Sequence, residues 1–295
     1  MRQSWSDRPL CKEMGKRFTQ EYLQDAVLAS FFGEVRALKP GNVSVYAAGH
    51  GMVYEDFVRS GEVSAPILCD PRLCLGQRIL QAVRATEEAA ACNTNLGMLL
   101  LFTPLIMACE SLKQGENLRP ALAKLLVALQ KCDADEVFEA IVQARPGGLG
   151  HVEKYDVHST PETGLVEAMA AARDRDFIAL QYSNGFQEVF DVGLAAFHEY
   201  KRAWNSVEWA TVGCYLTFLS RYPDTHILRK FGADIAERVK VRAATVLKQF
   251  DNNKSPDSAK SLLLEYDREL KDSKINPGTS ADLAAASLLL YTLGI

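Results

Sequence analysis

The stretch NLGMLLLFTPLIMACES, residues 95–111, is the most apolar part of this chain and decides its fold class. It is interrupted by Pro104 and is too short to cross a bilayer, which takes about 20 apolar residues. A segment of this composition is stable in water only when other elements cover it on all sides. We therefore predict a buried central helix with further helices packed around it.

The segments on both sides of this stretch repeat a helical periodicity, and strand signals are nearly absent. Helices are predicted before it at 19–38, 54–68 and 73–91. Those predicted after it lie at 118–130, 133–144, 163–173, 176–181, 185–201, 206–221, 232–250, 256–273 and 279–293. Residues 223–231 read as a short connecting segment. With no repeat and no linker, the chain is predicted to be all-α, a single-domain multi-helix array over residues 1–295 with its active site in the inter-helix loops.

Charge and composition exclude several classes of protein. Acidic residues number 37 and basic residues 33, for a net charge of −4. The sequence has neither a basic surplus nor a basic stripe, so nucleic-acid binding is not predicted. The first 16 residues carry charges throughout and lack the apolar core of a signal peptide, and no segment is typical of a membrane span. Seven scattered cysteines without a CxxC pair favour reduced thiols. We expect a cytoplasmic protein.

Polar residues collect at the helix breaks, first in GEVRALKPGNVSVYAAGH, residues 33–50. Backbone N–H groups in such a turn can face phosphate oxygens, and cations add to the attraction. A helix C-terminus with favourable basic residues is the ordinary alternative. The candidates for binding a phosphorylated ligand here are Arg36, Lys39, Asn42 and Ser44. Glu34 adds a carboxylate, and a histidine between glycines, His50, is seldom a core residue.

Four further segments add candidates. Asp56 in GHGMVYED is a metal ligand or base, or else an N-terminal charge on the next helix. Asn93, Thr94 and Asn95 precede the central helix. One such residue would suffice to cap the helix, so three in succession indicate a further role. The N-terminus of the helix favours an anion there.

The loop RPGGLGHVEKYDVH, residues 145–158, and the segment YPDTHILRK, residues 222–230, carry the remaining candidates. Arg145 and Arg229 can pair with phosphate, and His151 and His158 can transfer protons or bind a divalent ion. Asp224 is either a ligand or the cap of a turn.

These segments, in this order, resemble the triphosphoribosyl-dephospho-CoA synthase family. The matching stretches are EVRALKPGNVS with AGHGMVYEDF, ACNTNLG, RPGGLG and DTHILRKFG, spread over most of the chain. The resemblance implies an all-helical enzyme that moves a 5-triphosphoribosyl group from ATP to the 2′-hydroxyl of 3′-dephospho-CoA, or of a related acceptor, and releases adenine. It also implies Mg²⁺ and a CoA-like partner molecule.

The chemistry implied by the resemblance suits these residue types. A carboxylate stabilises an oxocarbenium-like ribose, a base takes the hydroxyl proton, and cations with a metal hold the triphosphate. On this basis the expected catalytic residues are Glu34, His50 and Asp224, and the expected metal ligands are Glu34, Asp56 and Asp224. Substrate binding is expected from Arg36, Lys39, Asn42, Ser44, Asn93, Thr94, Asn95, Arg145, His151, His158 and Arg229.

The chain also departs from the family pattern. Asn95 and Leu96 stand where the usual members have a His-Lys pair, and residues 42–44 are Asn-Val-Ser where those members have a Leu-Val-Asp type of continuation. Two alternatives therefore stay open. One is a metal-dependent enzyme of cofactor biosynthesis, of the methanopterin or methanofuran type in one-carbon metabolism, acting on another phosphorylated substrate. The other is a non-catalytic helical binding protein. A homodimer is also expected, because helical proteins of this size often dimerise.

Overall fold

The protein is helical throughout the part that its computed structural model describes, which is residues 17–146, 163–253 and 255–295. No β-strand occurs in these ranges, so the predicted all-α class is confirmed. The first helices are α1 (Gln20–Arg36), α2 (Tyr54–Leu68), α3 (Leu75–Ala90), α4 (Leu96–Ser111), α5 (Leu118–Ala128) and α6 (Lys131–Ala144). The others are α7 (Leu165–Ala172), α8 (Phe177–Asn184), α9 (Ala195–Trp204), α10 (Val207–Arg221), α11 (Thr225–Phe231), α12 (Ala233–Asp251), α13 (Pro256–Asp272) and α14 (Gly278–Thr292).

Two predicted elements were wrong. The helix predicted at 185–201 is divided, because Gly185 ends α8 with a φ of 73° and a π-helical turn, Val189–Leu194, precedes α9. The connecting segment at 223–231 contains α11, which begins because the Asp224 side chain accepts the N–H groups of His226 and Ile227. Both errors concern short elements, in which one cap or one glycine outweighs the periodicity.

Helix α4 is the centre of the molecule, as the sequence predicted. It packs against α3, α5 and α14, and nearly all its side chains are buried. Pro104 removes one backbone N–H, which leaves the carbonyl of Leu100 without its helical donor. The hydroxyl of Tyr182 in α8 donates to that carbonyl at 2.7 Å. The carbonyl that Pro104 leaves without a helical donor therefore has a hydrogen-bond partner inside the core.

Helix α14 is the second buried helix. It packs against α1, α4 and α10, and its Ala- and Leu-rich faces are covered on all sides. The buried apolar residues form one continuous core that extends from Phe18 to Leu293. In the part of the chain that the structure describes, no helix is both long enough and apolar enough to cross a membrane.

Candidate active site

A cavity of about 460 Å³ lies where several chain segments converge. Its walls come from the loop at 37–53, the N-terminal end of α4, the C-terminal end of α6, and from α7, α8, α11 and the start of α14. This volume is typical of small-molecule sites. The predicted residues that line it are Glu34, Asn42, His50, Asn93, Thr94, Asn95, Arg145 and Arg229.

The loop between α1 and α2 is held in place by distant helices. Gly41 has a φ of 83°, a conformation that favours glycine, and its N–H donates to Asp267 Oδ1 in α13 at 2.8 Å. The hydroxyl of Tyr215 in α10 donates to the Pro40 carbonyl at 2.5 Å. His50 Nε2 lies 2.8 Å from the Gly41 carbonyl. Since a carbonyl only accepts, Nε2 is the donor of this hydrogen bond.

A buried ion pair joins Glu34, near the end of α1, to Lys39. Lys39 Nζ lies 3.1 Å from Glu34 Oε1 and donates to the carbonyls of Glu34, Ala37 and Val43 at 2.7, 3.4 and 3.3 Å. Lys39 is 0% exposed and does not line the cavity. Burial raises the pKa of Glu34, which Lys39 opposes, and burial lowers the pKa of Lys39, which Glu34 opposes.

Two buried oxygen atoms of the cavity wall have no hydrogen-bond partner in the described residues. They are Glu34 Oε2 and Asn42 Oδ1. The other end of the Asn42 amide is used, since its nitrogen donates to Asn276 Oδ1 at 2.9 Å. An unsatisfied buried polar atom costs about 1–3 kcal/mol, so two of them beside one cavity indicate a place for a ligand.

Asp282 brings a second acid to the cavity from α14. Its carboxylate lies against Gly97 in the first turn of α4, where a Cβ on residue 97 would come 2.0 Å from Asp282 Oδ2. Burial raises the pKa of Asp282 well above its ordinary value, and the charges of Glu34, Asp224 and Asp176 raise it further. The unpartnered Oε2 of Glu34 and the carboxyl group of Asp282 line one cavity, and such oxygen atoms favour a cation.

Four basic side chains also line the cavity: Arg145, Arg175, Arg229 and Lys230. Arg229 donates from Nη1 to Asp176 Oδ2 at 2.5 Å, while its buried Nε has no partner. The remaining three are largely exposed, which places them at the mouth. Such a group of cations suits a polyphosphate, because Arg and Lys bind phosphate oxygens through charge-assisted hydrogen bonds.

A second histidine, His226 at the start of α11, completes the polar wall. Burial lowers its pKa to about 4, and the charges of Arg229, Lys230 and His50 act in the same direction. His226 is therefore neutral near pH 7. Together with His50, it gives the cavity groups that can accept a proton.

The family model of the ATP:dephospho-CoA triphosphoribosyl transferases matches residues 20–294. The chain belongs to this family. It is an enzyme, a transferase of the triphosphoribosyl-dephospho-CoA synthase type, and the resemblance seen in the sequence is confirmed. No curated protein and no solved structure matches the chain significantly.

The polar segment before α4 builds one wall of the transferase's cavity. Asn93 Oδ1 accepts the N–H of Leu96, and Thr94 Oγ1 donates to Ser60 Oγ at 2.6 Å. The Asn95 amide donates to Ser64 and accepts from Thr86, and Asn95 is buried. These three side chains are thus held in place by their own contacts, and Leu96, at the position of the missing lysine, adds an apolar surface.

Several predicted site residues of the transferase lie outside the cavity. Arg36 is exposed on the last turn of α1, and Ser44 accepts the N–H of Tyr46 inside its turn. Asp56 accepts the N–H of Val53 at 2.8 Å and pairs with Arg59 at 2.6 Å, so it is the N-terminal charge of α2 rather than a cavity ligand. The structure therefore does not support binding or metal roles for these side chains.

Asp224, predicted as a catalytic residue and a metal ligand, accepts hydrogen bonds from the first turns of two helices, α11 and α14. One oxygen accepts the N–H groups of His226 and Ile227, and the other accepts the N–H and hydroxyl of Ser280 at 2.7 and 2.8 Å. These four donors use the four lone-pair sites of the carboxylate, and Asp224 does not line the cavity. The alternative that the sequence left open, a capped turn, describes its position.

The prediction missed Asp282, Asp176 and Arg175 as parts of the site, and it noted His226 and Lys230 in the segment 222–230 without assigning them a role. A signal for Asp282 existed, since it is the only charged residue in SADLAAASLLLYT, residues 280–292. A lone acid in an otherwise buried helix is seldom there for packing. His151 and His158 lie outside the described residues.

Proposed function

We propose that the cavity binds ATP and the acceptor together, and that the 5-triphosphoribosyl group passes there to the 2′-hydroxyl of 3′-dephospho-CoA. The observation that carries this proposal is that two acids, Glu34 with an unpartnered Oε2 and Asp282, line one cavity together with four cations in a member of this family. The acids suit Mg²⁺ and ribose, and the cations suit the triphosphate.

The residues of the cavity fit a magnesium ion. Mg²⁺ is commonly held by one or two carboxylates together with substrate phosphates. Glu34 and Asp282 would hold it, with Asn42 Oδ1 as a further oxygen ligand. When bound, Mg²⁺ would neutralise part of the charge of the phosphate groups. Lys39 then acts on Glu34, keeping one carboxylate oxygen turned away from the cavity.

The reaction moves one proton along with the ribosyl group. The oxygen of the acceptor hydroxyl forms a bond to C1′ of the ATP ribose, and the bond from C1′ to adenine breaks with its electron pair going to adenine. His50 Nδ1 accepts the hydroxyl proton and passes it to water, and the departing adenine takes up one proton from water, so the number of protons balances. A carboxylate oxygen of Asp282 stabilises the positive charge that develops on the ribose. Arg229, Arg175 and Lys230 hold the triphosphate in position.

We place the enzyme in the cytoplasm, where ATP and CoA precursors are available, and we treat residues 1–295 as one domain. A homodimer stays a prediction.

The test is release of adenine, measured by chromatography, from the purified protein with ATP, Mg²⁺ and 3′-dephospho-CoA. We expect release that depends on the acceptor. Glu34→Gln and Asp282→Asn should each lower kcat by at least about 100-fold, and Glu34→Gln should also raise the Mg²⁺ concentration needed for half-maximal rate. Asp56→Asn, an acid outside the cavity, is the matched control and should keep nearly full activity. Wild-type activity in both cavity variants would overturn the assignment.

A further inference from the structure

A second cavity adjoins the active-site cavity of the transferase. It has a volume of about 250 Å³ and lies between the C-terminal parts of α3 and α6 and the segment 91–95. Asn93, Asn95 and Arg145 line both cavities. Arg145 is exposed, so it lies at the rim that the two share. We call this second cavity the side cleft; Val83, Thr86, Glu87, Cys92, Gln143 and Ala144 also line it.

The side cleft differs chemically from the active-site cavity. Arg145 is the only cation among its described lining residues, and its single carboxylate, Glu87, accepts a hydrogen bond from Gln143 Nε2 at 2.7 Å. The other lining groups are amides, hydroxyls and small apolar side chains. A triphosphate is disfavoured there because Glu87 repels it. A neutral chain with amide groups fits. Asn93 uses its Oδ1 toward the N–H of Leu96, so its amide nitrogen can donate to a carbonyl of the chain, and methylenes pack on Val83.

We propose that the side cleft binds the neutral, amide-bearing pantetheine arm of the acceptor. This inference rests on the proposed function, which makes 3′-dephospho-CoA the acceptor. Along that molecule the ribose is followed by a diphosphate and then by the arm with its two amides. Along the protein, His50 and Asp282 in the cavity are followed by Arg145 at the rim and Gln143 in the cleft. The order of chemical groups therefore matches, with Arg145 paired to the diphosphate.

The location also explains why one cavity does not suffice. Two substrates must meet at the catalytic groups, one of them carrying a triphosphate and the other a long arm. Three of the four cavity cations, Arg175, Arg229 and Lys230, are assigned to the triphosphate. An arm that leaves across the rim at Arg145 avoids these three cations and the acids Glu34 and Asp282. The side cleft is thus a specificity subsite for acceptors that have such an arm.

The first test is protection of the Cys92 thiol in the wild-type protein against N-ethylmaleimide, mapped by mass spectrometry. The probe is S-methyl dephospho-CoA, whose own sulfur cannot react, and the comparison ligand is ADP, which has the same ribose and diphosphate but no arm. Cys132 is exposed and lines neither cavity, so it is the internal control. At ten times its Kd the probe should slow labelling of Cys92 about tenfold, while ADP leaves it unchanged. Equal labelling with and without the probe would overturn the proposal.

The second test fills the side cleft by Cys92→Trp, with Cys92→Ser as the matched control. We expect KM for dephospho-CoA to rise at least about tenfold in the tryptophan variant, as for the loss of one good contact region, while KM for ATP and kcat/KM for ADP as acceptor stay unchanged. An unchanged KM for dephospho-CoA in the tryptophan variant would refute the subsite but not the proposed reaction. If wild-type protein releases no adenine yet the probe protects Cys92, the proposed reaction fails and the subsite stands.

Discussion

Lys39→Met is the change that best separates a structural role from a phosphate-binding role for this lysine. In the structure Lys39 is fully buried, and its ammonium contacts Glu34 Oε1 and three backbone carbonyls. Methionine keeps the length of the side chain but removes the charge and all three donors. The carboxylate of Glu34 and the carbonyls then lose their partner inside the protein.

The expected loss follows from the burial of the pair. Removing one partner of a buried ion pair costs about 3–5 kcal/mol, because the other charge is left uncompensated. For a chain of this size, we expect the Tm to fall by at least about 6 °C. Thermal and urea unfolding followed by circular dichroism measure both quantities. The double variant Lys39→Met with Glu34→Gln should recover part of the loss, since it removes the stranded charge as well.

Arg36→Met is the matched control, because Arg36 lies three residues earlier and is exposed. Its stability should change by less than about 0.5 kcal/mol. The phosphate-binding role predicts a different result for Lys39→Met, namely an unchanged Tm together with a raised KM for ATP. That combination would refute the structural role of Lys39 argued above.

Three further changes test other parts of the structure. Tyr182→Phe removes the hydroxyl that satisfies the carbonyl freed by Pro104 in α4, and should lower the free energy of unfolding by about 1–3 kcal/mol in urea titrations. The pKa of His226 falls from 6.5 to about 4 on folding, so the folded state binds fewer protons between these values. The stability linked to His226 is therefore fully present above pH 6.5 and is lost, by up to about 3 kcal/mol, as the pH falls toward 4. His226→Asn should make the free energy of unfolding decline less over this pH range, which unfolding curves at several pH values measure. The same decline in both proteins would contradict the assignment. Gly97→Ala forces Asp282 away from α4 and should lower kcat at least about tenfold, whereas Gly164→Ala, where a Cβ meets nothing within 4 Å, should leave kcat unchanged.

The helices could be predicted from sequence because their causes are local. The bounds of α2 agree with the prediction, and those of α4 differ by one residue at the N-terminal end. Helical hydrogen bonds connect residues four apart, and apolar periodicity reports which face packs inward. The short helix α11 was not predicted, although the hydrogen bonds of its cap, Asp224, to its first turn are also local. A single cap carries little weight in a seven-residue segment that lacks a periodic pattern.

The candidate site could be predicted only in part, because a side chain's partner depends on contacts between distant segments. The sequence placed Glu34, Asn42 and His50 in one loop region, and they do line one cavity. It could not show that Asp224 meets Ser280, 56 residues away, or that Asp282 lies against Gly97. Lys39 and Arg36 look alike in sequence, yet one is buried and the other exposed.

What the sequence alone determined is the helical class, the order of the elements and the chemical types of residue at the breaks. What only the tertiary structure decided is which of these polar groups face the cavity and which satisfy the backbone. The physical reason is that a buried charge must find a partner wherever the packing of α1, α4 and α14 supplies one. That packing turned Lys39 and Asp224 into structural residues, and it left Glu34 and Asp282 open to a ligand.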